Sequence, residues 1–258
     1  MKIIDQLNRE IKLNKTPRRI ISLVPSQTEL LVDLGLETSI VGVTKFCVHP
    51  THLRISKAVV GGTKQINFEK IKALKPDLIL CNKEENTKEI IADLEVVAPI
   101  HISDINNLED CFQLIKMYGE LFKVEAKAID LISSIEIERD VFQRHNNRTE
   151  KLKVAYFIWK KPWMVAASNT FINVMLNEAG FTNAFENETR YPEIELNNSN
   201  LAKADIVFLS SEPFPFKQEH VVEVQRQFPG KTVKIVDGEL FSWYGSRLLN
   251  AYVYFRKL

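Results

Sequence analysis

The sequence predicts an α/β chain of two similar lobes joined by one long helix, and three observations carry that expectation. Short aliphatic runs alternate with helix-patterned segments on both sides of the chain's middle, as parallel βαβ units require. Between Pro99 and Pro162 there is no proline, and apolar residues recur there at helical spacing. The two sides also share a pseudo-repeat: LKPDLILCNKEE at residues 74–85 and AKADIVFLSSE at 202–212 each run from Lys-x-Asp through an apolar strand into polar residues and Glu. The expected division is a first α/β lobe over 1–122, a backbone helix over 123–148 and a second α/β lobe over 149–258.

The elements follow in order. Residues 1–15 alternate charged and aliphatic side chains without the apolar run of an export signal, and read as a first strand pair. Residues 19–24 form a strand that ends at Pro25, where Ser26 is placed to cap a helix stopped by Gly35. Strands are expected at 40–43, 78–81 and 100–102, with helices at 68–74 and 87–94 between them. The proline-free stretch holds two helices broken near Gly119, the second running from Val124 to Asn146, roughly 34 Å long at about 1.5 Å per residue. Alternation then resumes with strands at 154–158, 206–209 and 233–236 and helices at 171–179, 221–227 and 246–255.

With 258 residues, 45% of them hydrophobic, the chain has enough apolar surface for one large or two small cores. A net charge of +1, with no Lys/Arg cluster interleaved with aromatics, argues against nucleic acid as a partner. No apolar run approaches the roughly 18 residues of a membrane span. The three cysteines, Cys47, Cys81 and Cys111, show no metal-type spacing and suit a reducing compartment or buried thiols. The sequence as it stands therefore reads as cytoplasmic, or as periplasmic if an export signal has been trimmed from it.

In open parallel sheets ligands bind outside the carboxyl ends of the strands. Asn82, Lys83, Glu84 and Glu85 follow one such end, and Ser210, Ser211 and Glu212 follow another. Trp159, Lys160, Lys161, Pro162 and Trp163 follow a third, while Phe241, Trp243 and Tyr244 follow a fourth, just before Arg247. Aromatics, acids and bases thus collect where a shared cleft is expected. Cys47 and His49 in FCVHP are the weak metal candidates, since two or three ligands on one loop do not close a tetrahedral site. Ser26 reads as a helix cap rather than a nucleophile, because no His is placed to activate it.

RRIISLVPSQTELLVDLG, IVGVT, NFEKIKALKPDLIL and DGELFSWYGSR, in that order, resemble the substrate-binding proteins of ABC importers that carry cobalamin, haem and ferric siderophores, over nearly the whole chain. The resemblance implies two Rossmann-like lobes on a rigid helical backbone, the class III periplasmic-binding-protein-like plan, and ligand binding without catalysis. It implies a monomer with no covalent cofactor, taking a corrinoid, haem or another tetrapyrrole, or a ferric or other metal chelate as ligand, and an ABC permease as partner. The ligand-binding residues expected, from the strand ends together with Lys64, are Lys64, Asn82, Glu84, Trp163, Glu212, Trp243, Tyr244 and Arg247. Lys64 stands in Gly62-Thr63-Lys64-Gln65, where corrinoid receptors of this type carry an aromatic, and suggests an anionic ligand group. Such proteins dock through one surface acid per lobe; Glu69 fits the first, and residues 197–200 hold no acid for the second. The alternative is a chelatase-type tetrapyrrole metal-insertion enzyme, which shares a two-lobe plan and needs His and Glu at its cleft. His49, His101 and His220 are scattered, and only His49 lies at a strand end, which favours the receptor.

Overall fold

A computed structural model describes residues 1–146 and 151–258. The chain separates into two compact units, the first made of Met1–Ile105, Glu109–Glu136 and Tyr244–Arg247, the second of Asn106–Leu108, Ile137–Trp243 and Leu248–Leu258. The last residues of the expected backbone helix, 147 and 148, lie outside the described residues.

The first unit opens with an antiparallel pair, β1 (Lys2–Ile4) and β2 (Glu10–Lys12). Its sheet contains β3 (Ile20–Ser22), β4 (Ile40–Val43), β5 (Ala58–Val59), β6 (Leu78–Asn82) and β7 (Ile100–Ser103), all parallel and in the order β5-β4-β3-β6-β7. β3, β6 and β7 are buried on both faces, which is why their sequences are continuous aliphatic runs rather than alternating ones. Helices α1 (Pro25–Asp33), α2 (Leu53–Ser56), α3 (Phe68–Ala73) and α4 (Lys88–Leu94) connect the strands. Ile21, Leu23, Val60, Ile71, Ile79, Cys81, Ile90, Leu94, Ile100 and Ile102 form a core under one sheet face. The loop between β1 and β2 shields the free edge of β7: Ile102 N donates to Asp5 Oδ2 at 3.2 Å and Arg9 Nη2 to the Ile100 carbonyl at 2.9 Å. An edge strand covered in this way cannot recruit another chain.

Two details differ from the expected start of α1 and the expected break between the long helices. Val24 occupies the cap position of α1 with Pro25 in the first turn, so Ser26 lies inside the helix. Proline suits that site because its missing N–H has no partner to lose there. The helices α5 (Leu108–Phe122) and α6 (Glu125–His145) part at Lys123, whose φ is +61°, and not at Gly119. Gly119 stays helical, and a Cβ there would come within 2.8 Å of the Ala128 Cβ, so its role is close approach of α6. At 21 residues α6 is about 32 Å long. Its residues through Glu136 belong to the first unit and those from Ile137 to the second.

The second unit is built on β8 (Lys153–Trp159), β9 (Trp163–Val165), β10 (Thr182–Asn183), β11 (Glu193–Ile194), β12 (Ile206–Ser210) and β13 (Thr232–Val236). The order is β11-β9-β8-β12-β13, with β10 beside β8. β8, β12 and β13 run parallel, as expected; β10 is a further parallel strand beyond those expected, and β9 and β11 are antiparallel additions that make the sheet mixed. Helices α7 (Phe171–Glu178), α8 (Ser199–Lys203), α9 (Gln218–Gln227), α10 (Glu239–Ser242) and α11 (Leu248–Phe255) complete it. The final helix, expected from 246, begins at Leu248 after a 3-10 turn at Gly245–Arg247. A core of Ala155, Phe157, Val165, Phe185, Leu201, Val207, Leu209, Phe216 and Val224 lies under one face. Arg139 of α6 grips Glu178 of α7 through two charge-assisted hydrogen bonds of 2.6 and 2.7 Å, fixing that end of α6 to its own unit.

Candidate functional site

In the first unit the strand order reverses between β3 and β6, and the carboxyl ends of those strands are where a doubly wound sheet opens toward ligands. Gln27, in the first turn of the helix that follows β3, is fully buried there. Its Nε2 donates to Ser103 Oγ at 2.6 Å and to the Tyr244 hydroxyl at 2.9 Å, while its Oε1 accepts from the Tyr118 hydroxyl at 2.7 Å. Asn82, at the end of β6, donates through Nδ2 to Ser103 Oγ at 2.9 Å and accepts through Oδ1 from the backbone N–H groups of Glu84 and Glu85. Asn86 accepts from Asn82 N and donates to the Thr63 carbonyl at 2.8 Å, pinning the loop that carries Lys64. Burial pushes the Tyr118 and Tyr244 phenols well above their usual range, so the network is neutral throughout.

The other residues near these strand ends differ in exposure. Lys64 and Glu84 are exposed, and Glu85 is half-buried. Burial raises the Glu85 carboxyl above its usual range, with Lys64 opposing that shift. Phe46, after β4, is 47% exposed with Lys45 Nζ 5.0 Å from its ring centroid. Cys47 is buried instead, its Sγ 3.1 Å from Thr28 Oγ1 and 3.3 Å from Thr44 Oγ1, and burial pushes its thiol up. No group of three or more His, Cys, Asp or Glu among the described residues is arranged to hold a metal ion. Arg247 is 8% exposed and engages Glu29 through both Nε, at 2.9 Å, and Nη2, at 2.7 Å. Burial lifts the Glu29 carboxyl above its usual range against the pull of Arg247.

The second unit presents a different surface at its strand ends. Trp159, at the end of β8, is 39% exposed and meets Phe214 edge-on, with centroids 5.6 Å apart. Trp163 opens β9 and is half-buried; it stacks on Phe216 at 6.0 Å, and Lys160 Nζ sits 5.2 Å from its centroid while pairing with Glu223. Beyond β12, Glu212 Oε1 accepts from Ser242 Oγ at 2.7 Å and from Trp243 Nε1 at 2.9 Å. Trp243 itself is only 8% exposed.

Of the eight residues expected to touch ligand, Lys64 and Glu84 are exposed and Trp163 and Glu212 half-buried, whereas Asn82, Trp243, Tyr244 and Arg247 are buried in hydrogen bonds within their own units. Sequence reasoning does not reach Gln27, Phe46, Ser103, Tyr118 or Asn86. Gln27 has a usable signal: it is a polar residue in the first turn after a buried strand, the position at which a switch point places its ligand-facing loop.

Each of the two α/β units carries aromatic, cationic and carboxylate side chains at its strand ends. The chain belongs to the periplasmic binding protein family, which residues 20–228 match. It is 28% identical over 200 residues to an ABC transporter substrate-binding lipoprotein, YvrC, of Bacillus subtilis, a stretch covering 74% of this chain and 63% of the relative. It is 26% identical over 200 residues to a vitamin B12-binding protein of Vibrio parahaemolyticus, covering 76% and 72% of the two chains. Among solved structures, a possible iron-binding (periplasmic solute-binding) protein of Staphylococcus epidermidis superposes with a TM-score of 0.79 at 23% identity, covering 94% of this chain and 98% of that one. A periplasmic haem-binding protein of Pseudomonas aeruginosa gives 0.78 at 22%, covering 93% and 91%. These superpositions establish the two-lobed α/β fold expected from the sequence.

Proposed function

We propose that the chain is the ligand-binding component of an ABC import system and carries a corrinoid, tetrapyrrole or metal chelate without chemically changing it. The observation that supports this most is the closed network around Gln27: the polar groups at the switch point are hydrogen-bonded to one another, which suits a rigid floor under a ligand. Nothing in it pairs a nucleophile with a base, the arrangement that covalent catalysis needs. Lys64 and Glu84, with Phe46, are the side chains offered to a ligand at the strand ends of the first unit, and Trp163, with Trp159, those at the strand ends of the second. Aromatic faces suit a flat macrocycle, and the exposed Lys45 and Lys64 suit anionic groups. Asn82, Tyr244 and Arg247 shape the floor. Glu69, exposed in the first turn of α3, is the contact for a permease.

The named relatives include a lipoprotein and periplasmic proteins, which supports a working place outside the cytoplasm. No helix among the described residues is long and apolar enough to cross a membrane. The experiment is titration of the purified chain with hemin, cyanocobalamin and a ferric catecholate, followed by absorbance and calorimetry, with a porphyrin metal-insertion assay alongside. Saturable binding of one probe at 1:1 without turnover is the expected result. Metal insertion, or no binding of any probe, overturns the reading.

A further inference from the structure

The segment SSEPFPF, residues 210–216, follows a buried strand and holds a carboxylate among prolines and aromatics, and its hydrogen bonds explain that composition. Ser211 and Glu212 tie the end of β12 to the chain that follows β13, and Ser210 braces the segment itself. Ser210 Oγ donates to the Glu212 carbonyl and also accepts from the Tyr156 hydroxyl at 3.1 Å. Ser211 N donates to the Val236 carbonyl, and Ser211 Oγ accepts from Gly238 N at 2.9 Å. Glu212 Oε1 then takes the Ser242 hydroxyl and the Trp243 indole N–H. Gly238 is the matching half: a Cβ there would lie 2.3 Å from Ser210 Oγ, 2.7 Å from Glu212 Cγ and 3.0 Å from Glu212 N, so the two segments touch at backbone distance.

The geometry points to Glu212 as a positioning residue, which orients the Trp243 ring and anchors the 211–216 loop that carries Phe214 against Trp159. This inference rests on the ligand-binding reading above and sharpens it. Glu212 serves the aromatic wall of the second unit through its neighbours rather than by touching the ligand. A single carboxylate oxygen shared by a hydroxyl and an indole fixes both donors, and indole N–H groups in buried surroundings need such an acceptor. The two prolines of the segment, Pro213 and Pro215, limit the backbone freedom left to the loop once Glu212 is held. Acceptor chemistry, not charge, is what this role requires. Glu212→Gln keeps an Oε1 acceptor at the same reach, whereas Glu212→Ala leaves Trp243 Nε1 and Ser242 Oγ without it.

The test isolates Trp243 as a fluorophore in a Trp159→Phe, Trp163→Phe background and compares Glu212→Ala with Glu212→Gln, without ligand. Glu212→Ala is expected to red-shift Trp243 emission and raise its acrylamide quenching by about twofold or more, as a freed indole becomes wet, while Glu212→Gln stays near the parent. Gly238→Ala wedges the two segments apart without removing a polar group and should behave as Glu212→Ala does; it keeps the test decisive if Glu212→Ala does not fold. Unchanged quenching in Glu212→Ala and Gly238→Ala, or equal disturbance by Glu212→Gln, overturns the inference. A separate arm titrates hemin and cyanocobalamin into single variants of the full chain. Glu212→Ala is expected to weaken the bound probe about five- to tenfold with Glu212→Gln restoring it, and the loss should vanish in a Trp243→Phe, Phe214→Ala background. If neither probe nor the ferric catecholate binds the parent, the ligand-binding reading fails while the fluorescence arm still decides the role of Glu212.

Discussion

The strand ends of the two units solve one problem with opposite materials. In the first unit an amide, Gln27, gathers Tyr118, Ser103 and Tyr244 into a neutral, fully buried network. In the second a carboxylate, Glu212, half-buried, gathers Ser242 and Trp243. An amide both donates and accepts, so it alone can join a phenol that gives a proton to a hydroxyl and a phenol that receive one. A carboxylate only accepts, which is enough where both partners are donors. The first arrangement is intolerant of isosteric exchange, and the second tolerates loss of charge.

The largest effect expected from breaking this contrast is on Gln27. Gln27→Ala strands the Tyr118 hydroxyl in a dry site and removes a partner from Ser103 and Tyr244, with an expected loss of about 3–4 kcal/mol from unsatisfied buried groups and lost packing. Gln27→Glu should be nearly as damaging, because a carboxylate cannot donate to Ser103 and Tyr244. Urea unfolding of these variants beside Glu212→Gln measures the difference. If Glu212→Gln and Gln27→Glu lose equal stability, the two units do not differ in the way their hydrogen bonds indicate.

Much of this architecture is legible in the sequence, and what is not has physical causes. Fully buried strands such as β6 and β12 announce themselves as unbroken aliphatic runs between turn residues and fall where expected, whereas the two-residue parallel strands β5 and β10 go unseen. β9 and β11 escape notice because three and two residues carry no period to recognise. Gly119 suggests a helix break, but a helix tolerates glycine where another helix must come close, and the break falls on a lysine with positive φ. Among the site residues, composition alone does not separate exposed groups from buried ones. Arg247 looks like a cation at a cleft mouth because its partner, Glu29, stands 218 residues earlier, a pairing that only tertiary structure reveals. Glu212 is recognisable as unusual for its neighbours, yet its partners Ser242 and Trp243 lie at the end of α10, 30 and 31 residues further on.

A pH-dependent effect should separate the units next. His101 on β7 is fully buried in the first unit, edge-on to Tyr118 at 5.4 Å, with neither ring nitrogen hydrogen-bonded. Burial lowers its pKa from 6.5 to about 4, with Asp5 raising it and Arg9 lowering it. The unfolded chain therefore binds a proton that the folded chain refuses. The stability that His101 contributes is fully present above pH 6.5 and is lost as pH falls toward about 4, a change of up to about 3 kcal/mol. His101→Phe keeps the ring contact and removes the titration, so its urea midpoint should change less between pH 7 and pH 4 than the parent's. Equal slopes for parent and variant would show that His101 does not set the acid limit of the first unit.

The smallest expected effect concerns the surfaces proposed to meet a permease. Short helices α3 and α8 both start from an asparagine cap: Asn67 Oδ1 accepts from Lys70 N, and Asn198 Oδ1 accepts from Asn200 N. The first turn of α3 carries Glu69, and the first turn of α8 carries no acid. A carboxylate there interacts favourably with the helix amino end, so Glu69→Ala should cost the fold less than about 1 kcal/mol. Its contribution to docking is bounded in the same way, because one exposed ion pair is worth at most about 1 kcal/mol, or about fivefold in affinity. Docking to a permease reconstituted in nanodiscs, read by surface plasmon resonance, should therefore weaken only slightly in Glu69→Ala. Ser199→Glu supplies α8 with the acid it lacks, and an increase of similar size is expected if the two helices play equivalent parts. A tight complex abolished by Glu69→Ala alone would mean that the first unit carries the docking energy by itself, and the difference between α3 and α8 would then be functional rather than incidental.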